Sequence, residues 1–425
     1  MEHYEDLELR FAPSGLTDST YTTPVNFRES LSVPIHRWYG YKEGFSPSFV
    51  DGFIQRYAKA KTDVVFDPFG GVGTTCLEAI RLGHTAFSMD VNPLSHFVAK
   101  VKTRKYSPKD IKAIFAALDE LQDLQTDNAP YAVNNKTVEG YFTPATWQSM
   151  TCLLARIKRI RAEKIRSLFL LALLSLVEEL STHHKNGNGV KRKRILPKPV
   201  DAAQLMLLFV DRVSMYCDDI AKTKRRGRPR LFFQSNLAHY RLPQKADIVL
   251  TSPPYANCFD YSKVYLTELW LGGFFTKRKD QEEFRERSVK SHVHYSWKRG
   301  ASAPVSDFVD KVLAPHLAGV ELWNNRIPGM VSGYFSDMAC FLENLSQNLN
   351  ENAMVGIVVG NSVYGGVPVA TDILLAEIAE KIGFKCESIE VYRKIISSSQ
   401  QMLKLTEREK DIVRESLIIL KWKSL

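Results

Sequence analysis

"DVVFDPFGGVGTTCLEAIRLGHTAFSMDVNP", residues 63 to 93, decides how this chain folds. Val64, Val65 and Phe66 are β-branched or aromatic and read as a buried strand. A glycine-rich turn follows, Thr74 or Thr75 opens a helix, and Gly83 stops it. Thr85 to Met89 then read as a second strand with Asp90 at its tip. Strand, turn, helix and strand in that order form the βαβ unit that opens a parallel, doubly wound sheet. In the turn "DPFGGVGTT", Gly70, Gly71 and Gly73 allow positive φ and let the backbone pass close to a ligand. Cys76 stands where the last glycine of a dinucleotide fingerprint would be, and no Gly-Lys-Ser/Thr follows to make a phosphate loop. Asp90 lies about 20 residues on, where a carboxylate accepts ribose hydroxyls. The stretch therefore supports an adenosine-containing cofactor, while a tight turn without a ligand stays open as the plainer reading.

Upstream, "WYGYKEGFSPSFVDGFIQRY", residues 38 to 57, reads as a loop feeding a helix. Ser46 is its N-cap, Pro47 its first residue, and Phe49, Val50, Phe53, Ile54 and Tyr57 its apolar face. Residues 1–34 carry no strong periodicity and are expected to form an arm. Downstream, residues 107 to 125 and 144 to 220 are helical in pattern. The second stretch is interrupted by "HHKNGNGVKRKRILPKP", residues 183 to 199, where a mobile loop is expected. A basic run, "KTKRRGRPR" at 222 to 230, leads to a short strand, "LFFQSN". The last hundred residues read as helix 334–349, strand 354–360, helix 371–382 stopped by Gly383, and two closing strands, "CESIEVYRKI" and "RESLIILKWK". The expected division is an arm (1–34), a catalytic α/β domain (35–106 and 231–425) and a helical, basic insertion (107–230).

The 425 residues are 44% hydrophobic and 24% charged, as in an ordinary globular protein, which excludes collagen-like and wholly disordered classes. The most apolar run, residues 168 to 177, is too short to span a bilayer and meets Glu178 and Glu179, so no membrane role is expected. The opening "MEHYEDLELR" is acidic and lacks an apolar signal region, which points to the cytoplasm. Six cysteines show no paired or metal-type spacing, so neither disulfides nor a metal are expected. A net charge of +10 favours a polyanionic partner, although basicity alone is a weak argument.

A second signature lies far along the chain. "ADIVL" reads as a strand, and "TSPPY", residues 251 to 255, closes it with two prolines that cannot donate to a sheet ladder. Such a rigid corner suits a base-handling site. Ser252 and the Pro253 carbonyl can accept hydrogen bonds from an exocyclic amine, Pro254 stiffens the turn, and the Tyr255 ring offers a stacking face. Taken alone, "PPY" reads better as a proline turn with a packed tyrosine.

Together, "DPFGGVGTT" and "TSPPY" resemble motifs I and IV of the amino-directed DNA methyltransferases, over roughly residues 35–95 and 232–425. The resemblance implies a Rossmann-like, seven-stranded sheet with S-adenosyl-L-methionine as cofactor. It implies that Asp67, Phe69, Gly70, Gly71, Gly73, Thr74 and Asp90 hold that cofactor. "EGFSPSFV" looks like the loop that closes over its methionine end, which adds Phe45 and Ser46. Asn236 stands where the family has an acid, and could accept a hydrogen bond from the adenine amine. Ser252, Pro253, Pro254 and Tyr255 become the catalytic corner, and serine at its head points to cytosine N4 rather than adenine N6. The implied partners are duplex DNA and a cognate restriction endonuclease.

For DNA contact the sequence offers two regions. One is the insertion, with Lys185, Lys191, Arg192, Lys193, Arg194 and Lys198 as phosphate ligands. The other is residues 256 to 330, where His292, His294 and Trp297 are candidate base readers. Arg226-Gly227-Arg228-Pro229 has a minor-groove form, but reads better as a basic linker. An adenine-N6 or RNA enzyme, a non-catalytic DNA-binding module and, more distantly, a dinucleotide oxidoreductase are the competing readings.

Overall fold

The computed structural model describes residues 2–15, 25–123, 129–187, 189–223, 227–233, 239–294, 306–395, 403 and 405–423. Among them the strands run β1 (Ser14–Gly15), β2 (Val64–Asp67), β3 (Thr85–Asp90), β4 (His183–Asn186), β5 (Gly189–Arg192) and β6 (Arg228–Phe233). They continue with β7 (Ala246–Thr251), β8 (Leu349–Gly360), β9 (Ser362–Tyr364), β10 (Val367–Val369), β11 (Phe384–Lys394) and β12 (Arg414–Trp422). The main sheet has the order β1-β11-β12-β8-β7-β2-β3-β6. Strands β6, β3, β2, β7 and β8 are mutually parallel, and β12 runs antiparallel to both β8 and β11. Strand order turns back at β2–β7, which makes that pair the switch point of a doubly wound, Rossmann-like sheet.

Alternate residues of the central strands feed opposite cores, as a period of two demands. Val65, Ile248 and Leu250 enter one cluster with Leu77 and Ile80 of the helix Thr74–Leu82. Val64, Phe66 and Val249 enter the other with Phe341 and Leu345 of the helix Ile327–Ser346. Both faces are thus covered, which is why β2 and β7 are nearly continuous apolar runs.

Eight strands replace the expected seven because the segment 1–34 adds β1 at the edge. That segment also holds the helix Glu2–Phe11, whose Tyr4 and Leu7 are buried in the second cluster. Tyr4 donates to the Pro368 carbonyl at 3.2 Å, and Arg414 pairs with Glu8. Where β1 meets β11, a side chain at Gly15 would lie 2.5 Å from the Val391 carbonyl oxygen, so the contact needs glycine.

The helices of the 107–230 segment, Pro108–Asp123, Pro144–Arg159, Glu163–Ser175 and Ala202–Lys222, cover one sheet face and share its core. Asp219, fully buried on the last of them, accepts from the Ile35 amide, the Arg37 guanidinium and the Trp38 indole. The expected mobile loop is instead a hairpin, β4 against β5, registered His183↔Arg192 to Asn186↔Gly189. "LFFQSN" likewise starts early, because β6 begins at Arg228 and pairs with Thr85 of β3. Arg226 lies outside the described residues, while Arg228 and Pro229 belong to this edge strand. No helix among the described residues is long and apolar enough to cross a membrane.

Candidate active site

Because β2 and β7 are neighbours, their carboxyl ends bring the two sequence signatures together. Thr251 ends β7 and donates to Asp67 Oδ1, at the end of β2, at 2.7 Å. The Phe69 amide donates to the same oxygen at 3.1 Å. Asp67 is buried, and this desolvation pushes its carboxyl up to about 6 despite those hydrogen bonds. Asp90, at the end of β3, accepts from the Gly71 amide at 2.8 Å and the Asn92 amide at 2.7 Å. Its residue keeps some exposure through the cleft, yet protein encloses the carboxyl and raises it to about 7.

The turn between these acids needs its glycines for different reasons. A side chain at Gly70 would meet Ser88 Oγ at 1.9 Å, so the chain lies flat on β3 there. Gly73 has φ +82° and caps the helix Thr74–Leu82, with Ala99 2.9 Å from where a Cβ would stand.

Two clefts open above these strand ends. The first is lined by Asp67, Phe69, Gly70, Gly71, Thr74, Asp90, Phe45, Ser252 and Pro254 from the expected set. The second is lined by Ser252, Pro253 and Tyr255, with Phe45 again. Glu43, Gly44, Phe45, Ser252 and Tyr261 border both. Gly73 and Ser46 serve helices instead, Ser46 Oγ accepting from the Phe49 amide at 3.2 Å. Asn236 lies outside the described residues.

The corner at Ser252 is held by side chains from elsewhere. Ser252 Oγ donates to the Tyr255 hydroxyl at 3.2 Å, which donates to Glu415 Oε1 at 2.8 Å. Glu415 also receives Arg393 Nε. Burial and Glu415 raise the Tyr255 phenol well above its ordinary range, so it keeps its proton. Its ring lies against Gly360, where a Cβ would be 2.9 Å away.

Sequence reasoning missed Tyr41, Glu43 and Tyr261. The first two stand in "YGYKEGF", residues 39 to 45, but their convergence with Tyr261 depends on tertiary packing. Tyr41 stacks on Tyr265 with ring centres 5.3 Å apart, and the Tyr265 hydroxyl donates to Glu43. Lys185, expected on phosphate, is buried: its ammonium pairs with Glu268 and lies 4.4 Å from the Tyr265 ring centre. Lys193 also turns inward and donates to the Glu178 carbonyl. His292 is likewise no exposed base reader. It is buried on the first cleft, and desolvation lowers it to about 4, so it is neutral at pH 7. His294 is exposed beside Lys263, and Trp297 lies outside the described residues. Among the described residues no cluster of three or more His, Cys, Asp or Glu side chains could hold a metal.

The raised acids have a stability consequence. An aspartate that binds its proton more tightly when folded stabilises the fold fully below its unfolded value, about 4. That contribution is lost as pH rises through the folded values of about 6 for Asp67 and 7 for Asp90. The unliganded chain is therefore expected to lose stability relative to Asp90→Asn between pH 5 and pH 8. Denaturant melts of both proteins across that range check this, and parallel curves would contradict it.

No protein-family model matches the chain. It is 28% identical to type II methyltransferase M.AvaI of Nostoc sp. over 91% of this chain and 86% of that protein. It is 25% identical to type II methyltransferase M.BsoBI of Geobacillus stearothermophilus over 89% and 84% of the two. A TehB-like SAM-dependent methyltransferase structure from Corynebacterium glutamicum overlaps 88% of this chain and 87% of that one, at 8% identity. Its TM-score of 0.29 is too low to add to the fold argument.

Proposed function

We propose that this chain is an S-adenosylmethionine-dependent DNA methyltransferase that modifies N4 of cytosine, as the modification part of a type II restriction-modification system. Its relatives by name are type II methyltransferases, and the observation that carries the reading is Ser252, which stands on the wall of both clefts. One ligand on each side of that serine places donor and acceptor of a group at a common boundary.

The first cleft suits the cofactor chemically. Asp67, Glu43 and Asp90 are acceptors for a cation and for hydroxyls, and Tyr41, Phe45 and Phe69 give apolar walls. Bound there, S-adenosylmethionine supplies an electrophilic methyl group. In this reading Asp90 accepts from the ribose, while Asp67 fixes the turn and Phe45 closes the far side. In the second cleft a cytosine turned out of the duplex stacks on Tyr255. Ser252 Oγ and the Pro253 carbonyl accept its two N4 protons, which draws the nitrogen lone pair out of conjugation. The amine loses a proton only after it has become cationic, so no strong base is needed beforehand.

Duplex DNA would run past the second cleft, whose wall includes Arg28, Lys42 and Arg393. Lys42 Nζ donates to the Lys185 carbonyl, which joins this wall to the β4–β5 hairpin. Lys191, Arg192, Arg194 and Lys198 on and after that hairpin are exposed. Residues 256–330 remain the proposed sequence-reading segment, and a cognate endonuclease the proposed partner. Replacing Lys191, Arg192 and Arg194 together by alanine is expected to weaken binding to every DNA sequence. The slope of log affinity against log salt should fall by about 2 to 3, near 0.9 for each phosphate no longer neutralised. An unchanged slope would remove the hairpin from the interface.

The function itself is tested by mass spectrometry of nucleosides from DNA incubated with the protein and S-adenosylmethionine. N4-methylcytosine is expected. N6-methyladenine would keep the mechanism and overturn the reading of Ser252, and no methylated base would overturn the enzyme assignment.

A further inference from the structure

We infer that Glu415 and Tyr255 form a hydrogen-bond relay that fixes Ser252 as a pure acceptor, and that this relay makes the second cleft select an amine over a carbonyl. The inference rests on the function proposed above. Glu415 belongs to β12 and lies 160 residues from Tyr255 in sequence, so nothing local demands the contact. It is 4% exposed and also receives the Arg393 guanidinium in an ion pair.

The direction of each bond then follows from counting protons. A carboxylate has none to give, so the one Tyr255 hydroxyl proton must point at Glu415 Oε1, 2.8 Å away. The tyrosine oxygen can then only accept from Ser252, 3.2 Å away. Serine also has a single hydroxyl proton, and it is now committed. What Ser252 offers a ligand is lone pairs alone, made richer by the charge at the far end of the chain.

This polarity discriminates between bases. Cytosine presents an amino donor at position 4, whereas thymine and uracil present a carbonyl acceptor there. A carbonyl facing Ser252 would meet lone pairs and leave two buried acceptors unsatisfied, which is the strongest kind of rejection a polar site achieves. Without the relay the serine hydroxyl is free to rotate and donate, and the rejection disappears. Glu415 and Tyr255 are therefore positioning residues, acting through Ser252.

The test compares affinities for a duplex carrying the methylated site, mapped by sequencing of modified DNA, and for the same duplex with uracil at the target. Tyr255→Phe keeps the ring and removes only the hydroxyl. It is expected to raise uracil binding relative to cytosine by about tenfold, the size of one buried polar mismatch. Glu415→Gln, whose amide can donate as well as accept, is expected to shift the ratio in the same direction by a smaller factor. Comparison of ratios between proteins cancels the cost of the uracil–guanine mismatch and any general loss of stability. An unchanged ratio in both variants overturns the relay, while N4-methylcytosine from the unaltered chain would leave the proposed function standing. No methylated base from the unaltered chain overturns both. If the product is N6-methyladenine, the cytosine reading falls and the relay is judged by the same ratio with hypoxanthine in place of adenine.

Discussion

Ser252→Ala is expected to lower the rate of methyl transfer by about a hundredfold or more, the usual cost of removing one group that acts on the reacting centre. The side chain stands at the end of β7, on the border of both clefts, and it is small and half-buried. Its removal leaves the Tyr255 hydroxyl bonded to Glu415 and the Asp67–Thr251 contact untouched. The sheet and the cofactor cleft should therefore persist. Single-turnover transfer of a labelled methyl group to DNA, with cofactor and DNA affinities measured separately, isolates the effect. A rate within fivefold of the unaltered protein would mean that Ser252 does not handle the amine.

Asp90→Ala is expected to weaken cofactor binding by about 10- to 100-fold, the range for hydrogen bonds to a charged group. The carboxylate does two jobs that alanine cannot. It would accept from the ribose, and it already holds the Gly71 and Asn92 amides at 2.8 and 2.7 Å. Without it those amides have no acceptor and the glycine turn loses its shape. Calorimetric titration with S-adenosylmethionine measures the effect, and DNA affinity without cofactor serves as the control. Unchanged cofactor affinity would place the ribose elsewhere in the cleft.

What could be read from the sequence was what local rules control. The unit from Val64 to Asp90 is legible because its glycines, caps and apolar runs act within a few residues of one another. The helix Thr371–Ile382 is legible to the residue because Gly383 adopts φ +112° and ends it. The expected site residues from Asp67 to Thr74 and from Ser252 to Tyr255 do gather around two adjoining clefts, with Gly73 turned to packing. What stayed hidden depends on distant partners. The helix Glu2–Phe11 mixes charges with Tyr4 and Leu7 as its buried apolar residues, and one of its ion pairs, Glu8 to Arg414, spans the chain. The β4–β5 hairpin looked like a loose basic loop because Lys185 finds its partner, Glu268, only after folding. Tyr255 gave no hint of Glu415 for the same reason.

The buried carboxylate of Asp219 has a meaning for how such a protein can change over generations. Segments inserted between the strands of a sheet are often pictured as cassettes, free to be exchanged between scaffolds. Here the last helix of the 107–230 segment supplies the acceptor for the Ile35 amide, the Arg37 guanidinium and the Trp38 indole of the scaffold itself. A transplant that lost Asp219 from this helix would leave the buried Ile35 amide and Trp38 indole without their acceptor, each a substantial penalty. Segment and sheet are therefore expected to change together, and substitutions on the exposed hairpin are tolerated more readily than exchange of the whole.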